Sequence, residues 1–370
     1  MDRNLNDTLR NLMSGRRQGP VASAARLLLS GASVGYGLGV RWRNRRFDRT
    51  ENVVRAAVPV VSIGNLTAGG TGKTPVVAYV ASHFRRWGVK VAILSRGYRA
   101  AEPARTGAAC GSPQNDEALV LEHLCPGVPH LQRPDRVAAA ADAVDRLGAE
   151  LLVLDDGFQH RRLARDLNVV LIDATNPFGY GHLLPRGLLR EPVASLRRAD
   201  IVLLTRADVV DPGTKDGIES TIRRFAPALP IVEVAFPPKA LVNAGGQRLQ
   251  LDELHETPLV AFCGIGNPTG FAATLASAGL RPAEMIPFRD HHHYGPADLD
   301  RLSRRAEALG AAAAVTTLKD LVKIRRDTLP GRAATPLWAV ETGCELMKNR
   351  AALDERLDAF VGQVVIRPAA

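Results

Sequence analysis

Gly64-Asn65-Leu66-Thr67-Ala68-Gly69-Gly70-Thr71-Gly72-Lys73-Thr74 is the stretch on which the fold turns, because of what flanks it. The apolar run 58–63 precedes it and an amphipathic pattern over 74–87 follows. A buried strand, a glycine-rich turn closing on Gly-Lys-Thr, and then a helix make the setting of a P-loop. The glycines let backbone N–H groups turn inward around phosphate oxygens, and the helix N-terminus adds its dipole. Thr67, Ala68, Gly69, Gly70, Thr71, Gly72, Lys73 and Thr74 are therefore the expected ATP cradle. Lys73 would reach the β- and γ-phosphates and the Thr74 hydroxyl would ligate Mg²⁺. Two departures stand in the loop. Thr67 occupies the first glycine position of G-x-x-x-x-G-K-T, and Ala68 stands where partitioning ATPases carry an extra lysine.

Outward from this loop, short apolar runs at 89–94, 151–154, 169–172 and 201–204 alternate with helical patterns at 134–147 and 211–225. Buried strands spaced by helices predict an α/β fold: a P-loop NTPase-like, mostly parallel sheet with helices on both faces. Strand-like runs at 231–234, 259–263, 313–316 and 337–340, with helices near 270–278 and 297–309, predict a second, smaller α/β lobe. Gly264-Ile265-Gly266-Asn267-Pro268-Thr269-Gly270 has one residue too many for a dinucleotide G-x-G-x-x-G and reads as a strand-to-helix turn. The expected division is a basic and apolar N-terminal segment over 1–50, a kinase core over 51–208 and the smaller lobe over 209–344. An amphipathic C-terminal helix over 345–370 would pack back on the core. With 46% apolar and 23% charged residues the chain can bury a real core, which excludes disorder and coiled coil. Four cysteines at no metal-ligand spacing point to a reducing compartment.

The net charge of +10 is unevenly placed. Residues 1–50 hold ten Arg against three acids, a net +7, so the rest is nearly neutral and a nucleic-acid partner is not expected. Only seven of the 48 basic residues are Lys, so a lysine in a motif is informative. The apolar stretch 20–40 runs into Arg41-Trp42-Arg43-Asn44-Arg45-Arg46. The fourteen uncharged residues between Arg26 and Arg41 make about 21 Å of helix, short of the roughly 30 Å of a bilayer core. Cations after the apolar region do not fit a signal peptide. Two readings stay open: a helix lying in an anionic membrane surface, or a first core helix with a solvated basic end. Gly31, Gly35 and Gly39, four apart, would allow close helix packing.

Three acid or imidazole clusters bear on chemistry. Asp155 and Asp156 end the run 151–154, and consecutive carboxylates repel unless a cation sits between them, so Mg²⁺ is the economical explanation. Gly157-Phe158-Gln159-His160-Arg161-Arg162 follows at once. Asp116-Glu117 opens a helical stretch over 116–124, where capping is the ordinary explanation. His291-His292-His293 resembles a metal site, but adjacent side chains on an extended chain diverge, and a polar loop accounts for them.

Several motifs occur in order: the loop through Pro75; Leu94-Ser95-Arg96-Gly97-Tyr98; Pro134-Asp135-Arg136; Asp155 to Arg162; Leu183-Leu184-Pro185-Arg186-Gly187-Leu188-Leu189-Arg190-Glu191-Pro192; Phe288-Arg289-Asp290-His291-His292; and Thr316-Thr317-Leu318-Lys319-Asp320. Together they resemble the tetraacyldisaccharide 4'-kinase family of lipid A biosynthesis over about residues 20–325. The resemblance implies transfer of the ATP γ-phosphate, with Mg²⁺, to the 4'-hydroxyl of a lipid A disaccharide 1-phosphate, forming lipid IVA. It implies a peripheral enzyme at the cytoplasmic face of the inner membrane, held by its N-terminal helix, with no obligate protein partner. It makes Asp116 the catalytic base, His291 its partner and Glu117 an aid to the metal beside Thr74, Asp155 and Asp156. Asn115 stands where the family has Gly, and Asn tolerates positive φ. Asn65, Arg96, Arg136, Gln159, His160 and Arg161 are the expected substrate-side residues. Asp116 and His291 lie far apart in the chain, which predicts a site formed between two lobes. Lys319-Asp320 receives no role, because Leu318 replaces the family's Glu.

A nucleotide-switch GTPase of the signal-recognition or metal-chaperone type is the rival. Thr205-Arg206-Ala207-Asp208 falls at a strand end like the guanine-reading Thr-Lys-x-Asp, but with Arg for Lys. That reading leaves the Asp156–Arg162 motif and Asp290-His291-His292 unexplained.

Overall fold

Each apolar run is short, continuous and rich in Val, Ile and Leu, the composition of strands covered on both faces. The computed structural model describes residues 3–97, 116–324 and 335–365; Tyr98 and Asn115 lie outside them. The chain begins with α1 (Arg3–Met13), α2 (Pro20–Arg46), β1 (Val60–Asn65), α3 (Lys73–Arg86), β2 (Val91–Ser95) and α4 (Asp116–Leu124). It continues through β3 (His130–Gln132), α5 (Arg136–Leu147), β4 (Leu151–Asp155), β5 (Leu167–Asp173), β6 (Ile201–Thr205), α6 (Pro212–Phe225) and β7 (Ile231–Ala235). Next come β8 (Pro238–Val242), β9 (Arg248–Leu249), β10 (Leu259–Cys263), α7 (Pro268–Ser277), β11 (Glu284–Pro287), α8 (Pro296–Ala308) and β12 (Ala313–Thr317). The chain closes with α9 (Leu318–Leu321), β13 (Leu337–Thr342), β14 (Glu345–Leu346) and α10 (Ala351–Val365). Among the described residues, 3–97, 125–235 and 346–365 form a larger compact unit, and 116–124, 236–324 and 335–345 a smaller one.

The larger unit is built on an eight-stranded sheet in the order β14-β7-β6-β5-β1-β4-β2-β3. Its pairs from β3 to β7 are parallel. Register puts Ser62 beside Leu154, Gly64 beside Val170, and Val170 beside Val202, all on one face. There α5 packs Ala139, Ala140 and Ala143 on Leu94, Leu152 and Leu154, and α6 packs Ile218 and Ile222 on Val170, Ile172, Val202 and Leu204. Strand alternation turns Val61, Ile63 and Val153 to the opposite face. That face meets α3, whose Val76, Val77, Val80, Ala81 and Phe84 are buried. Against α3 packs α10, as the sequence predicts for the C-terminus; Tyr79 Oη donates to Asp354 at 3.3 Å, and His83 Nε2 lies 3.0 Å from Asp358. Helices cover both faces.

Three boundaries differ from expectation. The segment from 209 to 235 belongs to the larger unit, because α6 is the crossover that returns the chain to pair β7 with β6. Conversely, α4 belongs to the smaller unit, where Val120 packs with Val242, Leu318, Leu321 and Ala339. Finally, residues 345–346 form the edge strand β14, and the C-terminal helix starts only at Ala351.

The smaller unit carries a six-stranded sheet, β11-β10-β12-β13-β8-β9. The strands from β11 to β13 are parallel, and β8 and β9 add antiparallel. A core of Leu259, Ala261, Phe271, Leu275 and Val315 lies between this sheet and α7.

The helix α2 runs for 27 residues through both the apolar stretch and the basic run. Among the described residues no helix is long and apolar enough to cross a membrane. One side is bound to the larger unit: the Ser33 hydroxyl accepts from Arg186 N–H at 3.0 Å, and Tyr36 Oη donates to the Arg190 carbonyl at 3.1 Å. The closely approached glycine is Gly37, where a Cβ would sit 3.0 Å from Leu183. A Cβ added at Gly31, Gly35 or Gly39 would meet nothing within 4 Å, so among the described residues no element packs on that row. Val21, Leu27, Leu28, Val34, Leu38 and Trp42 are exposed.

Gly64 is required by packing. A Cβ there would stand 2.6 Å from both the backbone nitrogen and Cβ of Phe158. Backbone cannot step aside as a flexible side chain does, so Gly64→Ala should destabilise the protein by about 3 kcal/mol, the upper range for overpacking. A urea denaturation midpoint equal to that of the unmutated protein would contradict this.

Candidate active site

The P-loop cluster lies at the C-terminal edge of β1 and β4. Parallel register sets Ile63 beside Asp155, so the loop leaving β1 and the acids ending β4 emerge at the same edge. Gly69 and Gly72 take φ of 125° and 83°, and Gly72 opens α3 with no side-chain cap. The uncapped first-turn amides and the buried Thr71 Oγ1, which has no hydrogen-bond partner among the described residues, fit phosphate oxygens. Neighbouring segments brace the loop. Ala68 N–H donates to the Leu188 carbonyl at 2.7 Å, and Thr205 Oγ1 to the Thr71 carbonyl at 2.9 Å. Arg206 ion-pairs with Asp173 and donates to the Gly70 carbonyl at 3.2 Å. The residue that the GTPase reading needs for a base is thus a strut for the P-loop.

Lys73 Nζ stands 3.3 Å from Asn65 Oδ1 and 3.3 Å from Asp156 Oδ1. Asp156 Oδ2 accepts from Arg190 at 2.7 Å. Burial raises the Asp156 pKa, but Lys73 and Arg190 outweigh it and leave the carboxyl below the usual range. Its φ of 55° is a left-handed conformation, uncommon outside glycine and costly to hold, a mark of functional sites. Asp155 is buried beside it. Thr74, Asp155 and Asp156 offer hydroxyl and carboxylate oxygens, the hard donors that suit Mg²⁺.

Around this edge several buried polar atoms have no hydrogen-bond partner among the described residues: Gln159 Oε1, His160 Nε2 and Arg136 Nε. Such atoms are rare in native interiors and point to a polar ligand. Gln159 is anchored by Nε2 donating to the Asn65 carbonyl at 2.8 Å. Burial, with Arg136 and Arg165 nearby, pushes His160 down to about 4, so its imidazole is neutral at neutral pH. Burial lowers the Arg136 guanidinium too; Asp156 and Asp155 oppose the shift and Arg96 adds to it. Arg161 departs from expectation. It donates to the Asn44 and Phe47 carbonyls at 2.8 and 3.2 Å and pairs with Asp48, so it caps the end of α2. Arg190, inside a quoted motif but given no role from sequence, is in the site.

A second cluster lies in the smaller unit. Asp116 opens α4, and His291 Nδ1 is 3.0 Å from its Oδ2. The two expected partners meet, but within one unit, because α4 packs there. His291 holds φ of 58°, and its N–H donates to the Gly264 carbonyl at 3.1 Å. The histidine run diverges: His292 Nε2 turns 2.9 Å from Asp298 and stacks on Phe288. Burial raises the Asp116 pKa, but the His291 hydrogen bond, Lys323 and Lys319 together hold it below the usual carboxylate range. Glu117 pairs with Lys319 at 3.2 Å in the smaller unit, whereas Thr74, Asp155 and Asp156 belong to the larger. Lys319-Asp320, given no role above, therefore stands in the site. Asp320 is fully buried, and Lys323 Nζ lies 3.0 Å from it and 3.6 Å from Asp116. The scarcity of lysine was the available signal, since three of seven fall in these two clusters.

A strand–P-loop–helix cradle with paired acids on the adjacent parallel strand places the larger unit among P-loop nucleotide-binding proteins. A carboxylate–imidazole pair in the other unit adds a group able to take a proton. The family model for tetraacyldisaccharide-1-P 4'-kinase (LpxK) matches residues 25–362, and the chain belongs to that family. It is similar to the tetraacyldisaccharide 4'-kinase of Anaeromyxobacter sp. (strain K), 41% identical over 351 residues, covering 93% of each chain. That of Geobacter sulfurreducens is 37% identical over 324 residues, covering 85% of this chain and 89% of the other. Among solved structures, LpxK from Aquifex aeolicus in complex with ATP superposes with a TM-score of 0.72 at 28% identity, covering 92% of this chain and 99% of that one.

Proposed function

We propose that the protein transfers the γ-phosphate of ATP to the 4'-hydroxyl of tetraacyldisaccharide 1-phosphate, making lipid IVA in lipid A biosynthesis. The observation that carries this reading is the 3.0 Å contact of His291 with Asp116, in a chain that also holds a P-loop. A nucleotide switch has no use for a second proton-accepting pair. Bound Mg²⁺ supplies charge neutralisation at the β- and γ-phosphates. Thr74, Asp155 and Asp156 would hold it; Glu117 stays with Lys319. Lys73 steadies the transferring phosphoryl group, and Arg190 keeps Asp156 turned toward Lys73. Asp116 accepts the 4'-hydroxyl proton as the oxygen attacks, and His291 orients Asp116 and shares its proton load. Gln159, Arg136, Arg96 and neutral His160 line the substrate side. Purified protein with γ-labelled ATP, Mg²⁺ and the disaccharide 1-phosphate should yield labelled lipid. Equal labelling from GTP, or none from ATP, would overturn the assignment.

The same reading places α2 on the anionic cytoplasmic surface of the inner membrane, as a peripheral contact. Its exposed Leu27, Leu28, Val34, Leu38 and Trp42 stand beside exposed Arg41, Arg45 and Arg46. Arg43 is excluded, because it pairs at 2.9 Å with the fully buried Glu191. Each cation near such a surface contributes about 1 kcal/mol. Replacing Arg41, Arg45 and Arg46 with Gln should weaken binding to anionic vesicles on the order of 100-fold. Unchanged vesicle binding would remove the electrostatic part of this contact.

A further inference from the structure

We propose that Lys323 is a positioning residue for phosphoryl transfer: its ammonium, anchored on Asp320, fixes the carboxylate of Asp116 in the orientation that receives the acceptor's proton. The inference rests on the reading of Asp116 as the base. Lysine is almost never fully buried unless paired, and the Lys323 side chain is only 3% exposed. Neutralising Asp320 accounts for one contact, at 3.0 Å; the second, 3.6 Å from Asp116 Oδ2, is in excess of that need. The oxygen it approaches is the one that His291 Nδ1 contacts. Two cationic or donor groups thus converge on Oδ2 and leave Oδ1 as the oxygen to present to the hydroxyl.

Asp320 organises both approaches. Its Oδ1 holds Lys323. Its Oδ2 accepts from Gly264 N–H at 3.0 Å and Thr317 Oγ1 at 2.7 Å, and the Gly264 carbonyl accepts from His291 N–H at 3.1 Å. One buried carboxylate therefore sets the loop carrying His291 and the lysine facing Asp116. The pairing is also doubled along α4: Lys319 meets Glu117 and Lys323 meets Asp116, so two lysines four residues apart hold two consecutive acids. That arrangement fixes the first turn of α4 in rotation as well as in place.

The test compares the full-length protein with Lys323→Met and with Lys323→Met/Asp320→Asn. The double variant removes both buried charges and leaves no unpaired carboxylate, so it keeps its fold when the single variant does not. In each, kcat, the KM for ATP and the thermal midpoint are measured. A misplaced base costs up to about 100-fold, so kcat should fall about 10- to 100-fold in the double variant. The KM for ATP should change by less than about twofold, since binding of the donor is untouched. Normal kcat in the double variant would show that Lys323 serves Asp320 alone and would overturn the proposal. Adding Lys323→Met/Asp320→Asn to Asp116→Ala should cost little more than Asp116→Ala itself; a fully multiplicative loss would also overturn it. Normal turnover in Asp116→Ala alone would instead overturn the assignment of the base.

Discussion

Asp116→Ala is expected to lower kcat for lipid phosphorylation by about 10²- to 10⁴-fold, the range for loss of a general base. The KM for ATP should move by less than about twofold, because Asp116 belongs to the smaller unit and the P-loop to the larger. His291→Ala should fall in the same direction, since its Nδ1 is 3.0 Å from Asp116 Oδ2 and it has no other stated task. Residues that act as one device are non-additive. The double variant should therefore be barely slower than the slower single variant. Losses that multiply would mean that the two groups act on different steps.

Lys73→Ala should be of comparable size for a different reason. Its side chain is 17% exposed, and its ammonium lies between Asn65 and Asp156, facing the loop that would hold the phosphates. Removing one preorganised charge from a phosphoryl-transfer site costs on the order of 10²- to 10³-fold in kcat. Here the loss has a second component: Asp156 keeps only Arg190 of its two cationic partners. The KM for ATP should rise with the fall in kcat, which distinguishes this variant from Asp116→Ala. A purified, folded Lys73→Ala protein with near-normal turnover would take the P-loop out of the mechanism.

The P-loop and the parallel sheet around it were legible because each is written locally, as an apolar run and a glycine turn; the Asp116–His291 pairing, between residues far apart in the chain, came only from the family resemblance. What sequence order hides is which sheet a strand joins. The run at 231–235 looks like the start of a new lobe, yet it pairs with β6 and closes the first sheet. The helix α4 looks like part of the first lobe, and its apolar face packs in the second. Two kinds of site information were out of reach. The positive φ of Asp156 and His291 is imposed by surroundings, since neither residue type announces it. The competition for a guanidinium is also tertiary: Arg161 sits in a motif full of site residues, but the open carbonyls at the end of α2 take it. Lys323 escaped notice because the motif ends at Asp320 and the residue that matters stands three further on.

The bond between Glu191 and α2 has a practical corollary for anyone who wants to remove the membrane contact proposed for this helix. Deleting the first 46 residues would strip Arg43 from Glu191, a carboxylate fully buried in the intact protein, and leave Arg198 as its remaining ion-pair partner. Because Arg43 is 43% exposed, the loss is smaller than the about 3–5 kcal/mol for breaking a fully buried pair, but even about one or two kcal/mol matters to a marginally stable protein. The Ser33 and Tyr36 hydrogen bonds to the 183–190 segment would go as well, and the same segment hands Arg190 to Asp156. Trimming α2 is thus the wrong way to remove that proposed contact. Repainting is the right one: polar residues at Leu27, Leu28, Val34, Leu38 and Trp42 would change only the outer surface of the helix and leave its inner seam closed.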